Sequence, residues 1–260
     1  MSTDALARYP DLAGRTVFVT GGGSGIGAAF VRAFAGQGAR VGFCDIADEP
    51  SRALVARLPG SMLHYARADV RDIPALQRAI GDAARALGPI TVLVNNAARD
   101  DRHAMGDVTV EYWDENQAVN LRHQFFATQA VAPMMAGAGG GSVINLGSIS
   151  WMRGRPAMVG YTTAKAAIGG MTRVLARELG SKNIRVNAIV PGAIVTERQA
   201  RLWNTPEAER EFLDQQCLKF RLSENDVART ALFLASDEAR GITGQNLIVD
   251  AGLGQTSVVA

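Results

Sequence analysis

Seven short runs rich in β-branched and aromatic residues recur along the chain: TVFVT, RVGFCD, LHYARAD, TVLVNN, SVINL, IRVNAIV and NLIVD. Most are separated by stretches of helical periodicity such as AAFVRAFAGQG and ALQRAIGDAARALG. An apolar run of strand length followed by a helix, repeated in this way, has few ways to bury both elements. The pattern predicts an α/β fold, a doubly wound parallel sheet of about seven strands with helices on both faces. The 260 residues suffice for one such domain over 1–260. Residues 197–226, polar and helical in pattern, follow a strand end and read as a substrate lid, with a plain surface helical hairpin as the alternative.

The segment VTGGGSGIGAAF, Val19 to Phe30, follows the first strand and opens a helix. That context gives a glycine-rich turn its meaning as a Rossmann-type dinucleotide site. Gly21 permits the tight turn, Gly25 removes a side chain where the backbone nears a pyrophosphate, and Gly27 allows close helix packing. The helix N-terminus offers free N–H groups and partial positive charge. Asp45, about 20 residues on at the end of the second strand, is placed to accept hydrogen bonds from ribose hydroxyls and to repel a 2′-phosphate. Ser24, not a lysine or arginine, precedes Gly25. The expected cofactor is NAD.

In YTTAK, Tyr161 and Lys165 fall one helical turn apart on one face. A free phenol, with pKa about 10, is a weak base at neutral pH, and a neighbouring ammonium is expected to favour the phenolate. Ser148, at the end of the fifth strand, can hold a reacting oxygen beside the tyrosine. Asn120, in AVNLRHQ, can order a water with its amide and relay protons to Lys165. Together the four form a candidate catalytic set.

These residues resemble the short-chain dehydrogenase/reductase family from about Asp11 to Gly254. The resemblance rests on Gly21, Gly25, Ile26 and Gly27, on ADV with Asp69 and Val70, on NNAA, on Asn120, Ser148, Tyr161 and Lys165, and on NAIVPGAIVT. It implies that Asp69 and the Val70 backbone receive the adenine and that Asn96 supports the ribose region. It also implies that Ile194 and Thr196 contact the nicotinamide amide. Ala98 stands where the family usually has glycine, and Gly147 replaces a frequent serine. DDRH, YWDE, NLRH, GSISW, TRVLARELG and QCLK are most similar to bacterial sugar dehydrogenases of the D-xylose 1-dehydrogenase type. For a polyhydroxylated ligand, Arg99 to His103, including Asp100, offers donors and acceptors, and Trp151 offers a face for a sugar ring.

The expected activity is oxidation of an aldose at C1 to a lactone, through Tyr161 as base. A 3-oxoacyl thioester reductase and a non-catalytic NAD-binding regulator are the alternatives. Lys+Arg and Asp+Glu nearly cancel at a net charge of +2, so nucleic acid is not an expected partner. The start of the chain has neither a signal-peptide pattern nor an apolar run of membrane-spanning length, and two cysteines fit a reducing compartment. A cytoplasmic protein is expected, and the resemblance suggests a homotetramer built through helices near Asn120 and Tyr161. The three histidines, His64, His103 and His123, lack metal-ligand spacing and read as ordinary surface or strand residues.

Overall fold

The computed structural model describes residues 6–195, 210 and 213–255. Half of the expected lid, residues 197–209, 211 and 212, lies outside them, as does Thr196. Seven strands form one parallel sheet: β1 (Thr16–Thr20), β2 (Arg40–Asp45), β3 (Leu63–Arg67), β4 (Ile90–Asn95), β5 (Gly141–Leu146), β6 (Ile184–Pro191) and β9 (Asn246–Val249). Their order is β3-β2-β1-β4-β5-β6-β9, and each run read from the sequence supplies one strand. A separate two-residue pairing of β7 (Ile194–Val195) with β8 (Leu222–Ser223) has no signal in the sequence. Two residues per strand are too few for periodicity to show.

The helices lie on both faces. Side chains alternate along β1: Val17 and Val19 enter one core with α1 (Gly25–Gly36) and α7 (Glu224–Ala235), whereas Phe18 enters the other with α3 (Ile73–Leu87) and α5 (His123–Gly137). The shorter α2 (Asp48–Ala56) follows β2. In α3 the buried residues Leu76, Ala79, Ile80, Ala83 and Leu87 make the helical stripe that the sequence spells. The Asp72 carboxylate caps that helix by accepting from Ala75 N–H at 2.9 Å. Thr109 caps α4 (Val110–Gln117) in the same way, and α4 passes into α5 through a π-type turn at 118–122. The long α6 (Val159–Leu179) packs beside β6. All seven strands run parallel, so the β1, β2, β4 and β5 C-termini open on one edge, and the loops there carry the candidate residues.

Candidate functional site

The glycine turn begins where β1 ends. Gly21 has φ +66°, and a Cβ there would lie 2.8 Å from Ala97 Cα. A Cβ on Gly27 would stand 1.8 Å from the Gly21 carbonyl oxygen and 2.7 Å from Asn96 Nδ2. The third glycine therefore packs the helix against the turn itself. Gly25 also has positive φ, +51°, and Ile26 follows it in α1. Ser24 is the N-cap residue of α1, yet its side chain makes no capping bond, which leaves the first-turn N–H groups open to an anion. Such a cradle, closed to any Cβ and headed by uncapped N–H groups, fits a dinucleotide pyrophosphate.

Asp45 ends β2 with its carboxylate facing this turn. Oδ2 accepts from Gly23 N–H at 2.8 Å and Oδ1 from Ala47 N–H at 2.9 Å. A carboxylate has about four acceptor positions, so two remain for ribose hydroxyls. Beyond it an open groove of about 610 Å³ is lined by Ile46, Arg67, Ala68, Asp69, Arg71, Asp72 and Ala75. The Asp69 carboxylate accepts from Arg71 N–H and its guanidinium, which holds it below the usual carboxylate range. Val70 beside it is buried.

Asn96 does not reach out of the turn; it holds the turn together. Its Nδ2 donates to the Thr20 and Gly21 carbonyls at 3.1 and 2.9 Å. Ile194 is 2% exposed, pairs with Leu222 and belongs to the core on the α1 and α7 face, which leaves its backbone as the part that can face a ligand.

Ser148 lies two residues past β5; its hydroxyl oxygen accepts from Ser150 N–H at 3.2 Å and is near enough to the Tyr161 phenol to favour its ionised form. Tyr161 keeps some surface exposure, but its hydroxyl end is deep. Lys165, 2% exposed, places Nζ 5.5 Å from the centre of the Tyr161 ring and donates to the Leu146 carbonyl at 2.7 Å. The expected lowering of the phenol by the ammonium is not found. Burial pushes Tyr161 up to about 12, with the nearby Ser148 hydroxyl opposing the rise and the Asp100 charge adding to it. Burial also pushes Lys165 down to about 7, against the pull of Asp100. One desolvated pocket disfavours phenolate and ammonium alike.

Asn120 departs from its expected role as well. Its amide is committed to protein: Oδ1 accepts from Arg99 N–H at 2.9 Å, and Nδ2 donates to the Arg99 carbonyl at 3.1 Å and to Asn116 Oδ1 at 3.0 Å. The side chain thus fixes the loop after β4 and has no amide proton left over for a water. Its backbone carbonyl accepts from Gln124 Nε2 at 3.3 Å.

Among the expected substrate residues, Asp100 is near enough to Tyr161 and Lys165 for its charge to act on both. Trp151 is 44% exposed on the loop after Ser148. That loop is tied to the loop after β4 by His103 N–H donating to the Ala157 carbonyl at 2.9 Å. The sequence reading missed Thr20 and Asn116, whose side chains hold this scaffold, and misplaced His123. The last is fully buried, not a surface or strand residue. A signal was available, since His123, Ala127, Val131 and Met135 form one inward row of α5 at four-residue spacing.

A family model described as enoyl-(acyl carrier protein) reductase matches residues 21–254. The chain belongs to the short-chain dehydrogenase/reductase family. It is 53% identical over 250 residues to a "probable galactose dehydrogenase" of Rhizobium meliloti, covering 95% of this chain and 98% of that one. It is also 53% identical over 248 residues to the D-xylose 1-dehydrogenase of Caulobacter vibrioides, with the same coverage. A solved structure, a blue fluorescent protein from a metagenomic library in complex with NADPH, is 35% identical with a TM-score of 0.85, covering 94% of this chain and 99% of that one. The protein is an enzyme of this family with a small-molecule substrate and a nicotinamide cofactor. No helix among the described residues is long and apolar enough to cross a membrane.

Proposed function

We propose that the protein oxidises C1 of a cyclic aldose, D-xylose or a related sugar, to the lactone with NAD as acceptor, within one dinucleotide-binding and catalytic domain. The observation that carries the reading is the convergence of the Ser148 hydroxyl, the Tyr161 phenol and Lys165 Nζ, 5.5 Å from the phenol ring centre, within reach of the Asp100 charge. The sugar assignment is supported by the two relatives at 53% identity. Ser148 holds the anomeric oxygen, Tyr161 takes its proton, and Lys165 passes the proton on past the turn that Asn120 anchors. When bound, the oxidised nicotinamide supplies the hydride acceptor and a positive charge that favours the phenolate.

Gly21, Ser24, Gly25, Ile26 and Gly27 cradle the pyrophosphate. Asp45 takes the ribose hydroxyls, and its charge against a 2′-phosphate is the argument for NAD over NADP. Asp69 and Val70 border the adenine groove, Asn96 keeps the glycine turn in shape, and Ile194 and Thr196 meet the carboxamide. Asp100 and Trp151 contact the sugar. The free thiols of Cys44 and Cys217 fit a cytoplasmic setting. Exposed Phe125 on α5 and Val159 and Val174 on α6 fit burial between subunits of a homotetramer.

Incubating the protein with NAD and a panel of pentoses, hexoses, secondary alcohols and acetoacetyl thioester, the last with NADH, tests the reading. NADH formation with an aldose and transient lactone are expected. Efficient thioester reduction with every aldose untouched overturns the sugar assignment, and binding of NADH without turnover of any compound overturns the enzyme reading.

A further inference from the structure

His123 is a buried titratable side chain to which the proposed chemistry gives no part. It is 0% exposed, and its Nε2 lies 3.4 Å from Thr20 Oγ1. That hydroxyl oxygen already accepts from Asn96 N–H at 2.9 Å and from Ala97 N–H at 3.1 Å. With both lone pairs taken, its proton is the one group left for the imidazole. Nε2 is therefore the acceptor, and the ring hydrogen sits on Nδ1. Nδ1 faces the Val119 carbonyl, one turn back along the helix, in a contact that falls outside full hydrogen-bond geometry. Lys165, the charged group that acts on the ring from the adjoining helix, opposes its protonation, and burial does so more strongly.

These contacts close on themselves. Thr20 immediately precedes Gly21, and the Asn96 amide grips the Thr20 and Gly21 carbonyls. Three residues beyond Asn96, both backbone groups of Arg99 are held by the Asn120 side chain. Val119, next to Asn120, faces one nitrogen of His123, and the other nitrogen returns to Thr20. We propose that His123 is a positioning residue: as a neutral Nδ1–H imidazole it closes this circuit and fixes the glycine turn against the loop after β4 and the π-type turn that carries Asn120. An apolar side chain would fill the volume and leave the Thr20 hydroxyl proton buried without an acceptor. The inference rests on the nicotinamide-dependent reading of the site, and NADH itself is the probe.

Solid-state ¹⁵N spectra of protein labelled only at histidine carry three residues, and loss of one set in His123→Gln assigns His123. The expected result is the Nδ1–H tautomer, unchanged from pH 6 to 9. By fluorescence titration, NADH should bind His123→Leu and Thr20→Val at least about fivefold more weakly. Amides of residues 96–99 should exchange faster in both variants. His123→Gln, whose amide oxygen can take the place of Nε2, should restore affinity to within about twofold, while His123→Asn, which reaches only the Nδ1 position, should not. An Nε2–H tautomer overturns the proposal. So does NADH affinity within about twofold of the unmodified protein in both His123→Leu and Thr20→Val. Should the leucine variant not fold, the isosteric Thr20→Val decides alone. Failure to oxidise any aldose would remove the sugar assignment and leave each of these readouts in place.

Discussion

Lys165 lies one helical turn beyond Tyr161, with Nζ 5.5 Å from the centre of the phenol ring and hydrogen-bonded to the Leu146 carbonyl at 2.7 Å. One helix sets the spacing of the two side chains, and one strand end fixes the ammonium. The same burial that orients them pushes the phenol up to about 12 and the ammonium down to about 7. Oxidation needs the phenolate, whose population grows with pH below the phenol's pKa. The rate of sugar oxidation at saturating NAD should therefore rise from pH 6 to 9. A rate that falls across that range would show that a group other than Tyr161 takes the proton.

The lowered Lys165 also bears on stability. Between pH 7 and 10.5 the unfolded chain holds a proton on this lysine that the folded chain has largely released, so its contribution makes stability rise with pH through that window. Below it, the folded protein carries the full cost of a buried ammonium. Lys165→Met should raise the melting temperature by several degrees at pH 6, with a smaller gain at pH 10, while turnover is lost. Equal shifts at both pH values would mean that the lysine is not desolvated as described.

Tyr161→Phe removes the phenolic oxygen and keeps the ring. Turnover should fall by roughly 10²-fold or more, with NADH affinity nearly unchanged, because the cradle around Gly21 and Gly27 is untouched. Steady-state kinetics paired with fluorescence titration separates the two effects.

Asp45 carries the cofactor prediction. Catalytic efficiency with NAD should exceed that with NADP by at least about tenfold, near 1.4 kcal/mol, and Asp45→Ala should narrow the gap. The variant should also lose some stability, since Gly23 and Ala47 N–H both donate to this carboxylate. Equal efficiencies in the unmodified protein would remove the ribose assignment.

Gly27→Ala tests the close approach of α1. A Cβ 1.8 Å from the Gly21 carbonyl oxygen cannot be accommodated unless helix or turn moves, at a cost of about 1–3 kcal/mol. Urea denaturation should show that loss, accompanied by weaker NADH binding. Unchanged affinity would mean that the cradle does not receive the cofactor.

The sequence by itself determined the seven parallel strands, the glycine turn after β1, Asp45 at the end of β2 and the one-turn spacing of Tyr161 and Lys165. Those features are local. Strand and helix periods, β-branched composition and glycine at strained positions act within a few residues of one another, so they can be read in order along the chain. The tertiary structure alone decided what distant groups do to each other. It turned the Asn120 amide inward onto Arg99, buried the side chain of Ile194, brought Asp100 to the Tyr161–Lys165 pair and set His123 against Thr20, 103 positions away. A donor's partner and a group's desolvation depend on which strands and helices pack together, and neither spacing nor composition records that. The direction in which Tyr161 and Lys165 are displaced belongs to the same class: the sequence shows that the two charges are near, and only the fold shows how little water surrounds them.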